Sequence, residues 1–457
     1  MNFLTLNVKK RLLSGLLGIF LIPCIYYAFL PSGGAAFPRF SGLYLAQFLI
    51  YFGILRLLKD VSIDTKWIVG IAIVTRVILI FTAPTLENDF WRYLWDGRVL
   101  AHGVNPYTFK PLDPALDFLD VPYRRLIGWK NYGTIYPPVS ILVFALVHLM
   151  AGDSLIWLKV SLTLFDFGTG GILMLWFKRL GISPKWCALY FLNPLVLKEV
   201  PNSAHLDSIV VFFSVLATYL MWGSDQSANG SMRKSLAAWI SLAVAVASKI
   251  YPICFVPLFF KVDRRRWLGS LIFIVLLGVA YGPFITAGIN ILNGTEAFAR
   301  HWIFNASIYR VFQDGIPIVL SHLNNLGLLS TQSQNIFLKD DLLAKLTVSF
   351  IFGFFTLYRA KKITTTADLP NELVIVIGAL LVLSPVVNGW YVLWILPFAC
   401  LVGNKPWLLF SLLVMASYSW WYSKELAPTL RWVEYLIFYV VLFLWHIRSK
   451  EKLAKIA

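Results

Sequence analysis

Apolar runs that approach or reach the length of a membrane-crossing helix recur along the whole chain. Such a helix needs about 20 mostly apolar residues, and the stretches 12–30, 154–177 and 267–287 are of this kind. Only 14% of the residues are charged, against about 25% in a typical soluble domain. Because only helices and closed barrels can span lipid, and the runs are too long for barrel strands, the sequence predicts an all-α polytopic membrane protein.

The positions of lysine and arginine predict how the chain is threaded through the membrane. Basic residues collect in cytoplasmic loops, so the basic run 9–11 places the N-terminus inside and makes 12–30 a retained signal anchor. The net charge of +17 is interpreted in the same way, and no nucleic-acid partner is expected. The count gives about 12–13 transmembrane helices with both termini cytoplasmic. The predicted membrane segments are 12–30, 41–57, 67–83, 154–177, 185–200, 208–222, 236–260, 267–287, 343–358, 372–387, 392–402, 406–421 and 430–447.

Two segments do not fit a simple count, and they shape the predicted domains. Residues 139–151 are apolar but short and are expected to be interfacial or half-inserted. Residues 236–260 are interrupted at Lys249-Ile250-Tyr251-Pro252 and are expected to form a broken hairpin, a feature that lines cavities at membrane depth. The predicted units are two added N-terminal spans in 1–66, a core module in 67–287 with an external loop at 84–138, a second external loop at 288–342, and C-terminal spans in 343–457.

The stretch 87–98 is unusually rich in ionisable residues for a chain of this kind. It follows an apolar segment directly and contains three carboxylates, two arginines and four large aromatics. If it is helical, Asp89, Arg92, Tyr93 and Asp96 share one face, because they are spaced i, i+3, i+4 and i+7. The simpler interpretation is a solvated, salt-bridged helix at the membrane surface.

Other unexpected polar and aromatic residues fall on the same predicted external side. Each has a simple alternative role, such as a lysine snorkelling to the interface, a loop cap, an aromatic belt or a plain turn. Their joint placement from distant segments predicts an active site between spans and external loops. The set comprises Asp89, Arg92, Asp96, Arg98, Asn105, Tyr107, Tyr136, His205, Asp207, Lys249, Tyr251, Arg300, His301, Asn388, Trp390 and Tyr391.

Carboxylates beside cations at a membrane surface suit the transfer of a group from a lipid-linked phosphate. Lysine or arginine can stabilise the leaving phosphate, and a carboxylate can take the proton of an attacking hydroxyl. The sequence contains no phosphate-binding glycine motif and no soluble nucleotide-binding domain. Two alternatives stay open: a ligase or polymerase that uses a polyprenyl-diphosphate glycan, and a flippase or transporter of a lipid-linked sugar.

At this level of detail the chain resembles the GT-C glycosyltransferases. Within that superfamily it is most similar to bacterial polyprenyl-phosphate-mannose-dependent mannosyltransferases, with similarity to the GPI mannosyltransferase catalytic subunit. The resemblance covers most of residues 67–400 and depends on the order of several short motifs. These are Asn88-Asp89-Phe90, Gly103-Val104-Asn105-Pro106-Tyr107, Ile135-Tyr136-Pro137-Pro138, Asn193-Pro194, His205-Leu206-Asp207, Lys249-Ile250-Tyr251-Pro252, and Trp390-Tyr391 with Pro397.

The resemblance implies a GT-C-like fold with a catalytic first core loop that contains juxtamembrane helices. It makes Asp89 the general base and gives His205-Leu206-Asp207 the place of a second acidic site. The family often has an acidic pair in the first loop, and here Glu87 is either the displaced second acid or a solvated neighbour. Monosaccharide-transferring members generally bind no metal, unlike the related oligosaccharyltransferases, so no metal or other cofactor is expected.

The resulting hypothesis is an inverting single displacement of a sugar, expected to be mannose, from polyprenyl phosphate. Asp89 serves as the base, and Asp207 and His205 bind the acceptor or support Asp89. The acceptor is a glycan, glycolipid or protein, and the active site lies on the external face of a bacterial inner membrane. The residues expected to bind donor phosphate or substrate are Lys249, Arg92, Arg98, Arg300, Asn105, Tyr107, Tyr136, Asn388, Trp390 and Tyr391.

Overall fold

The computed structural model describes residues 3–31, 33–224 and 231–454. Within these ranges the chain is helical, and its only extended pairing is an isolated parallel bridge between Phe304 and Val386. The predicted all-α class is therefore confirmed. The four cysteines are buried and unpaired, which agrees with their scattered positions in apolar segments.

The α-helices differ widely in length, and short helical turns join many of them. The α-helices are α1 Phe3–Ile19, α2 Leu21–Tyr26, α3 Phe37–Asp60, α4 Thr65–Ile80, α5 Phe90–Ala101, α6 Pro138–Ala151, α7 Leu155–Arg179, α8 Ala188–Phe191, α9 Pro194–Leu197, α10 Asp207–Ser224, α11 Met232–Val246, α12 Val256–Val262, α13 Arg266–Tyr281, α14 Asn290–His301, α15 Ile308–Asn325, α16 Thr331–Leu338, α17 Leu342–Lys362, α18 Leu369–Leu383, α19 Leu396–Val402, α20 Lys405–Leu413 and α21 Leu426–Ala454. The 3₁₀ segments are Tyr27–Phe29, Gly33–Ala36, Pro114–Leu119, Pro122–Leu126, Pro184–Cys187, Tyr251–Phe255, Gly282–Ala287, Lys339–Asp341, Thr366–Asp368, Gly389–Trp394 and Val414–Trp421. One π-helical turn, Lys198–Asn202, follows α9.

Eight helical stretches in the described ranges are long and apolar enough to cross a membrane. They are Leu6–Phe29, Gly33–Asp60, Leu155–Arg179, Asp207–Ser224, Arg266–Ala287, Leu342–Lys362, Thr366–Leu383 and Leu426–Arg448. This confirms a multi-pass membrane protein, although these long helices are fewer than the 12–13 transmembrane helices expected from the sequence. The predicted spans 185–200, 392–402 and 406–421 are instead chains of shorter helical pieces, and 67–83 corresponds to the 16-residue helix α4. Residues 236–260 are interrupted after Val246, as their sequence predicted. Prolines explain much of this, because each removes a backbone donor and favours the first turn of a new helix.

The two N-terminal spans are packed into the rest of the bundle by buried tyrosines on α3. The hydroxyl of Tyr44 donates a 2.7 Å hydrogen bond to the carbonyl of Ser411, which lies on α20. The hydroxyl of Tyr51 donates an equally short one to the carbonyl of Leu189 on α8. Each bond satisfies a polar group that would otherwise be costly to bury, and together they fix α3 against helices that follow it by more than a hundred residues.

Two buried cations hold α4 in the orientation that sets the start of the loop that follows it. Arg76 pairs with Asp166 on α7 at 2.6 Å, and both side chains are almost fully buried. The ammonium of Lys159 donates to the carbonyls of Leu79 and Thr82, at 3.3 and 2.6 Å. Carbonyls at the end of a helix lack internal partners, and a cation there satisfies them and complements the helix dipole. The loop therefore leaves the bundle at a fixed point.

Helix α5 occupies the predicted ionisable stretch and packs closely on α6. It begins at Phe90, with Asp89 in the capping position. Gly97 makes the close packing possible, because a Cβ at this position would lie 2.6 Å from the backbone carbonyl of Phe144 on α6. Helix α6 has 14 residues, or about 21 Å at 1.5 Å per residue. It is too short to cross the membrane alone, as its sequence predicted.

The second predicted external loop is largely helical and is tied to the segment before residue 388. Phe304 donates its N–H to the carbonyl of Pro385 at 3.0 Å and accepts the N–H of Val387 at 2.8 Å. Behind this bridge, the amide of Asn305 donates to the buried carboxylate of Glu434 on α21 at 3.0 Å. The helix α14 side of the loop is thereby joined to the segment that carries Asn388, Trp390 and Tyr391.

Candidate active site

A cavity of about 910 Å³ lies where the loops predicted to be external meet the ends of several helices. Segments around residues 87–93, 128–137, 249–251, 295–304 and 384–394 form its walls. The cavity brings together many of the residues expected from the sequence to form the site. Those that line it are Asp89, Arg92, Tyr136, Lys249, Tyr251, His301, Asn388, Trp390 and Tyr391.

Asp89 lines the cavity, and its carboxylate makes no hydrogen bond or ion pair with any described side chain. It lies in the loop after α4, outside the candidate membrane spans. Burial raises its pKa to about 6, with Lys249 opposing the shift and Asp207 adding to it. A carboxylate with this pKa is ionised at neutral pH and is basic enough to accept a proton from a hydroxyl that is attacking a substrate.

Lys249 is the cation that most strongly affects Asp89, and three neighbours hold it in place. Its ammonium donates to Asp207 at 2.7 Å and lies over the rings of Tyr391 and Trp394, at 4.6 and 5.0 Å from their centroids. The indole N–H of Trp394 donates to the same Asp207 oxygen. Rings and carboxylate together restrict the ammonium, which remains on the cavity wall where it can meet an anion.

Trp394 is the middle ring of a three-ring stack beside Lys249. Its ring is 4.1 Å from that of Tyr251 and 4.2 Å from that of Tyr391, with interplanar angles of 7° and 22°. Stacked rings offer a flat, rigid surface with polar edges. The sequence reasoning included Tyr391 and Tyr251 but missed Trp394, which occupies the position that joins them.

Asp207 and His205 lie behind the cavity wall, although the sequence reasoning placed them among the catalytic residues. Both side chains are fully buried, and neither lines the cavity. Asp207 holds Lys249, and the ring of His205 stacks on Trp390 at 3.9 Å with an interplanar angle of 16°. Of the two roles expected for them, direct contact with an acceptor does not fit this placement. Support of Asp89 fits for Asp207 through Lys249, the cation that opposes the rise in the pKa of Asp89.

A second cluster of ionisable groups lies behind Glu87. The ammonium of Lys198 donates to Glu199 at 3.1 Å and to the hydroxyl of Tyr418 at 2.7 Å, and it is 3.8 Å from Glu87. Burial raises the pKa of Glu87 to about 8, with Lys198 opposing the shift. Glu87 therefore differs from Asp89 in carrying its proton at neutral pH, so the two neighbouring acids hold different charges.

Glu199 links this cluster to the aromatic wall. Its backbone carbonyl accepts the N–H of His205 at 2.9 Å, and its side chain lies 3.3 Å from the His205 ring. The hydroxyl of Tyr418 donates to the same carboxylate. Gly389 passes so close that a Cβ there would lie 2.6 Å from the Tyr418 hydroxyl. The π-helical turn that contains Glu199 thus supports both the His205 ring and the start of the 389–394 turn.

The sequence reasoning also missed Lys198, Glu199 and Asn202, although a signal was present. Two adjacent ionisable residues in an otherwise apolar run are costly in a membrane and indicate a functional or structural site. Asn202 ties the first loop to the π-helical turn: its amide donates to the Thr82 hydroxyl and the Ala83 carbonyl, and it accepts the N–H of Thr85.

Arg92 is oriented toward the cavity by a chain of buried hydrogen bonds. Its Nε donates to Asp96 at 2.8 Å, and Asp96 accepts the hydroxyl of Thr134 at 2.6 Å. Its Nη1 donates to the carbonyl of Tyr132 at 3.3 Å. In the described part of the chain Nη2 has no hydrogen-bond partner, so one edge of a fixed guanidinium is available to an anion.

The remaining predicted site residues lie away from this cavity. Arg98 pairs with Asp153 at 2.9 Å and also binds the carbonyl of Leu119. Arg300 lines a neighbouring cleft and pairs with Glu296. This placement does not support the expectation that either arginine holds the donor phosphate. Their charge is visible in the sequence, but their partners are not.

Asn105 and Tyr107 make contacts that hold the loop carrying Tyr136 in position. The amide of Asn105 donates to the carbonyl of Phe284 at 3.1 Å, and its oxygen accepts the N–H of Tyr107. The hydroxyl of Tyr107 donates to the carbonyl of Tyr136 at 2.7 Å. Both residues thus fix the loop that presents Tyr136 to the cavity, and neither lines the cavity itself.

Much of the cavity lining is apolar and aromatic. Trp129 and Trp302 pack with ring centroids 3.8 Å apart, and Phe304 stacks on Trp421 at 6.5 Å. The charged groups Asp89, Lys249 and Arg92 line the same cavity. The space therefore suits a molecule with a charged head and a hydrocarbon chain. The described residues include no cluster of three His, Cys, Asp or Glu side chains that could hold a metal ion.

Comparison with known proteins identifies relatives of this chain. A sequence model of the alpha-(1->6)-mannopyranosyltransferase N-terminal domain matches residues 35–262. Alpha-(1->6)-mannopyranosyltransferase A of Corynebacterium glutamicum is 23% identical over 228 residues, which are 47% of this chain and 43% of that protein. Alpha-(1->6)-mannopyranosyltransferase B of the same organism is 24% identical over 355 residues, or 70% of this chain and 56% of that protein. The matches thus span about half the length of either relative.

Solved structures of ArnT from Cupriavidus metallidurans also resemble this chain. The apo structure has a TM-score of 0.47 at 15% identity and covers 76% of this chain and 61% of ArnT. The structure bound to undecaprenyl phosphate has a TM-score of 0.48 at 15% identity, covering 78% and 63%. The sequence matches confirm the resemblance inferred from the motifs. Through residues 35–262, about half of its length, the chain is similar to the N-terminal domain of the alpha-(1->6)-mannopyranosyltransferases, and it is a relative of those mannosyltransferases.

Proposed function

We propose that this chain is a membrane glycosyltransferase that moves mannose from a polyprenyl-phosphate donor to an acceptor hydroxyl. The observation that carries the proposal is the unpaired carboxylate of Asp89 in one cavity with Lys249 and Arg92. A base, two anion-binding cations and an apolar lining are the parts that transfer from a lipid phosphate requires. Mannose is favoured because both relatives are named as mannopyranosyltransferases.

The reaction is a single displacement at the anomeric carbon of the donor. The acceptor oxygen forms a bond to that carbon as the carbon–phosphate oxygen bond breaks, and Asp89 takes the hydroxyl proton. Polyprenyl phosphate leaves with the bonding electrons, and Lys249 and Nη2 of Arg92 stabilise its charge. A single displacement inverts the anomeric centre. An α-linked product, as the relatives' names describe, therefore requires a β-linked donor.

The residues that line the cavity divide into donor and acceptor contributions. Trp390 and Tyr391 form a rigid aromatic wall for the mannosyl ring, with Asn388 supplying an amide beside them. The apolar lining around Trp302 and Phe304 receives the first isoprene units. In this proposal the active site faces the external side of the membrane, and no bound metal takes part.

Reconstitution with defined donors tests the proposal against its alternatives. Purified protein in lipid nanodiscs is supplied with polyprenyl-phosphate mannose, polyprenyl-phosphate glucose or a polyprenyl-diphosphate glycan, together with a mannose oligosaccharide. Consumption of the mannose donor with formation of a new glycosidic bond is expected. Transfer only from the diphosphate donor would favour a ligase, and movement of donor across liposomes without transfer would favour a flippase.

A further inference from the structure

A second cleft of about 660 Å³ adjoins the active-site cavity. It lies between the first predicted external loop and helix α14, and the proposed donor does not require it. Tyr132, Gly133 and His301 line both spaces. The two are therefore neighbours with a shared wall, and a ligand in the cleft would end close to the residues that line the cavity.

The cleft offers amide groups whose hydrogen-bonding capacity is not used within the protein. Asn131 is exposed and has no hydrogen-bond partner in the described part of the chain. The amide of Asn293 donates to the oxygen of Asn290 at 2.8 Å, which leaves the Asn293 oxygen and the Asn290 NH₂ group available. Amides both donate and accept, so they match the hydroxyls of a sugar better than they match a charged group.

The charges in the cleft are balanced, which separates it from the phosphate-binding cavity. Arg300 is paired with Glu296 at 2.9 Å, and Lys110 and Asp113 add one charge of each sign. No excess charge is present among these four side chains to hold an anion or a cation. The aromatic rings of Phe109 and Tyr132 supply flat faces for an apolar sugar surface. A neutral, hydroxyl-rich ligand fits this lining.

The wall of the cleft is connected by packing and hydrogen bonds to the groups that hold Arg92. Gly294 on α14 packs against the first loop so closely that a Cβ would lie 2.3 Å from the carbonyl of Thr134. The Thr134 hydroxyl binds Asp96, and Asp96 binds Arg92. The carbonyl of Tyr132, at the shared wall, accepts from Arg92 as well. The wall of the cleft is thus fixed relative to the cation that faces the donor.

We infer that this second cleft binds a neutral oligosaccharide, the chain that carries the acceptor hydroxyl. The inference rests on the proposed function for the identity of that chain, and it adds the class of acceptor and its location. Sugar units bound along α14 and the 107–133 loop would present a terminal hydroxyl past Tyr132 toward Asp89. The cleft then selects glycan length, because only a chain of several units can occupy it and reach the cavity.

Direct binding tests the inference without any donor. α-(1→6)-linked mannotetraose is titrated calorimetrically into the protein in nanodiscs, for wild type, the Asn131→Ala/Asn293→Ala double variant and the control Asn335→Ala. Asn335 is exposed on α16 and does not line the cleft. Loss of two amide partners should raise Kd at least tenfold, and the control should bind like wild type. Equal binding by wild type and the double variant would overturn the inference.

The salt dependence of binding and the kinetics of transfer test the cleft inference separately from the proposed function. Binding of a neutral glycan should not change between about 0.05 and 0.5 M salt, whereas an ionic ligand site would weaken by screening. In transfer assays the double variant should raise KM for mannotetraose and leave KM for the donor unchanged. An unchanged KM for mannotetraose in an active double variant would overturn the cleft alone. Binding by the cleft in a wild-type protein that transfers no sugar would overturn the proposed function alone.

Discussion

Lys249 and Asp207 form a 2.7 Å ion pair in which only the lysine reaches the cavity. The carboxylate is fully buried, and about a fifth of the lysine side chain is exposed. Asp207 also accepts the indole N–H of Trp394. One buried acid therefore sets the position of a cation and of an aromatic wall, which gives it influence on the site without contact with the substrate.

Replacement of Asp207 by Asn should weaken donor binding through Lys249. The Asn side chain keeps a similar size, but the ammonium loses its charged partner and about 1.5–3 kcal/mol of charge-assisted hydrogen bonding. We expect KM for polyprenyl-phosphate mannose to rise about tenfold or more, with a smaller change in the acceptor KM. Steady-state kinetics with each substrate varied in turn measure the difference. A purely structural role for Asp207 would instead lower the amount of folded protein and leave both KM values unchanged.

Turnover should follow the ionisation of Asp89. Because its pKa is raised to about 6 and the base acts when ionised, kcat/KM should fall about tenfold per pH unit below pH 6 and level off above it. Lys249 lowers this pKa, so Lys249→Met should move the inflection to higher pH as well as reduce the rate. A pH profile of the two proteins tests both points. An inflection that moves to lower pH in Lys249→Met would contradict the assignment.

Glu87 should tolerate replacement by Gln at neutral pH. Its pKa of about 8 means that the folded protein holds it protonated at pH 7, and Gln imitates that form. We expect Glu87→Gln to keep turnover within about threefold of wild type. The raised pKa also means that the stability Glu87 contributes is present below its unfolded pKa and lost as the pH rises through about 8.

A thermal-melting series checks the sign of the Glu87 effect. Between the unfolded pKa and about 8 the unfolded state binds fewer protons than the folded state, so wild type should lose stability as the pH rises. Glu87→Gln should lose less over the same range. A variant that loses more stability than wild type over that range would show that Glu87 is ionised at neutral pH in the folded protein.

Gly389 should not accept a methyl group. Its Cβ would lie 2.6 Å from the Tyr418 hydroxyl and 2.9 Å from a Glu199 carboxylate oxygen, so Gly389→Ala must shift a buried hydrogen-bonded pair. We expect about 1–3 kcal/mol of destabilisation and lower turnover, because the same turn carries Trp390 and Tyr391. Gly315→Ala is the matched control: nothing lies within 4 Å of its Cβ. Melting temperatures of the two variants that do not differ would refute the close contact.

The buried pair Arg76–Asp166 should be replaceable as a pair but not singly. Arg76→Met leaves an uncompensated buried carboxylate and should cost about 3–5 kcal/mol. The double variant Arg76→Met/Asp166→Leu removes both charges and should recover most of that loss. Denaturation in detergent gives the free energy of unfolding of wild type, the single variant and the double variant. If the double variant lost at least as much stability as Arg76→Met, the uncompensated charge of Asp166 would not be the cause of the destabilisation.

The sequence predicted a helical membrane protein and the gathering of Asp89, Lys249 and Trp390 at one site. Both predictions depend on local features of the sequence: the distribution of lysine and arginine, and polar residues at the ends of apolar segments. The sequence did not predict that Asp207 and His205 lie behind the wall, since that depends on the path of the chain through the π-helical turn Lys198–Asn202. Arg98 shows the other limit: its charge is visible in the sequence, but its partner Asp153 is 55 residues away.

Replacement of Asp89 by Asn tests the central claim most directly. The change keeps the shape of the side chain but replaces the carboxylate by a neutral amide, which cannot take up the hydroxyl proton. Initial rates of mannose transfer from polyprenyl phosphate, measured for wild type and Asp89→Asn at saturating donor and acceptor, should differ by at least a hundredfold. Donor binding should be retained, because Lys249 and Arg92 remain. Transfer by Asp89→Asn at a rate near that of wild type would contradict the account.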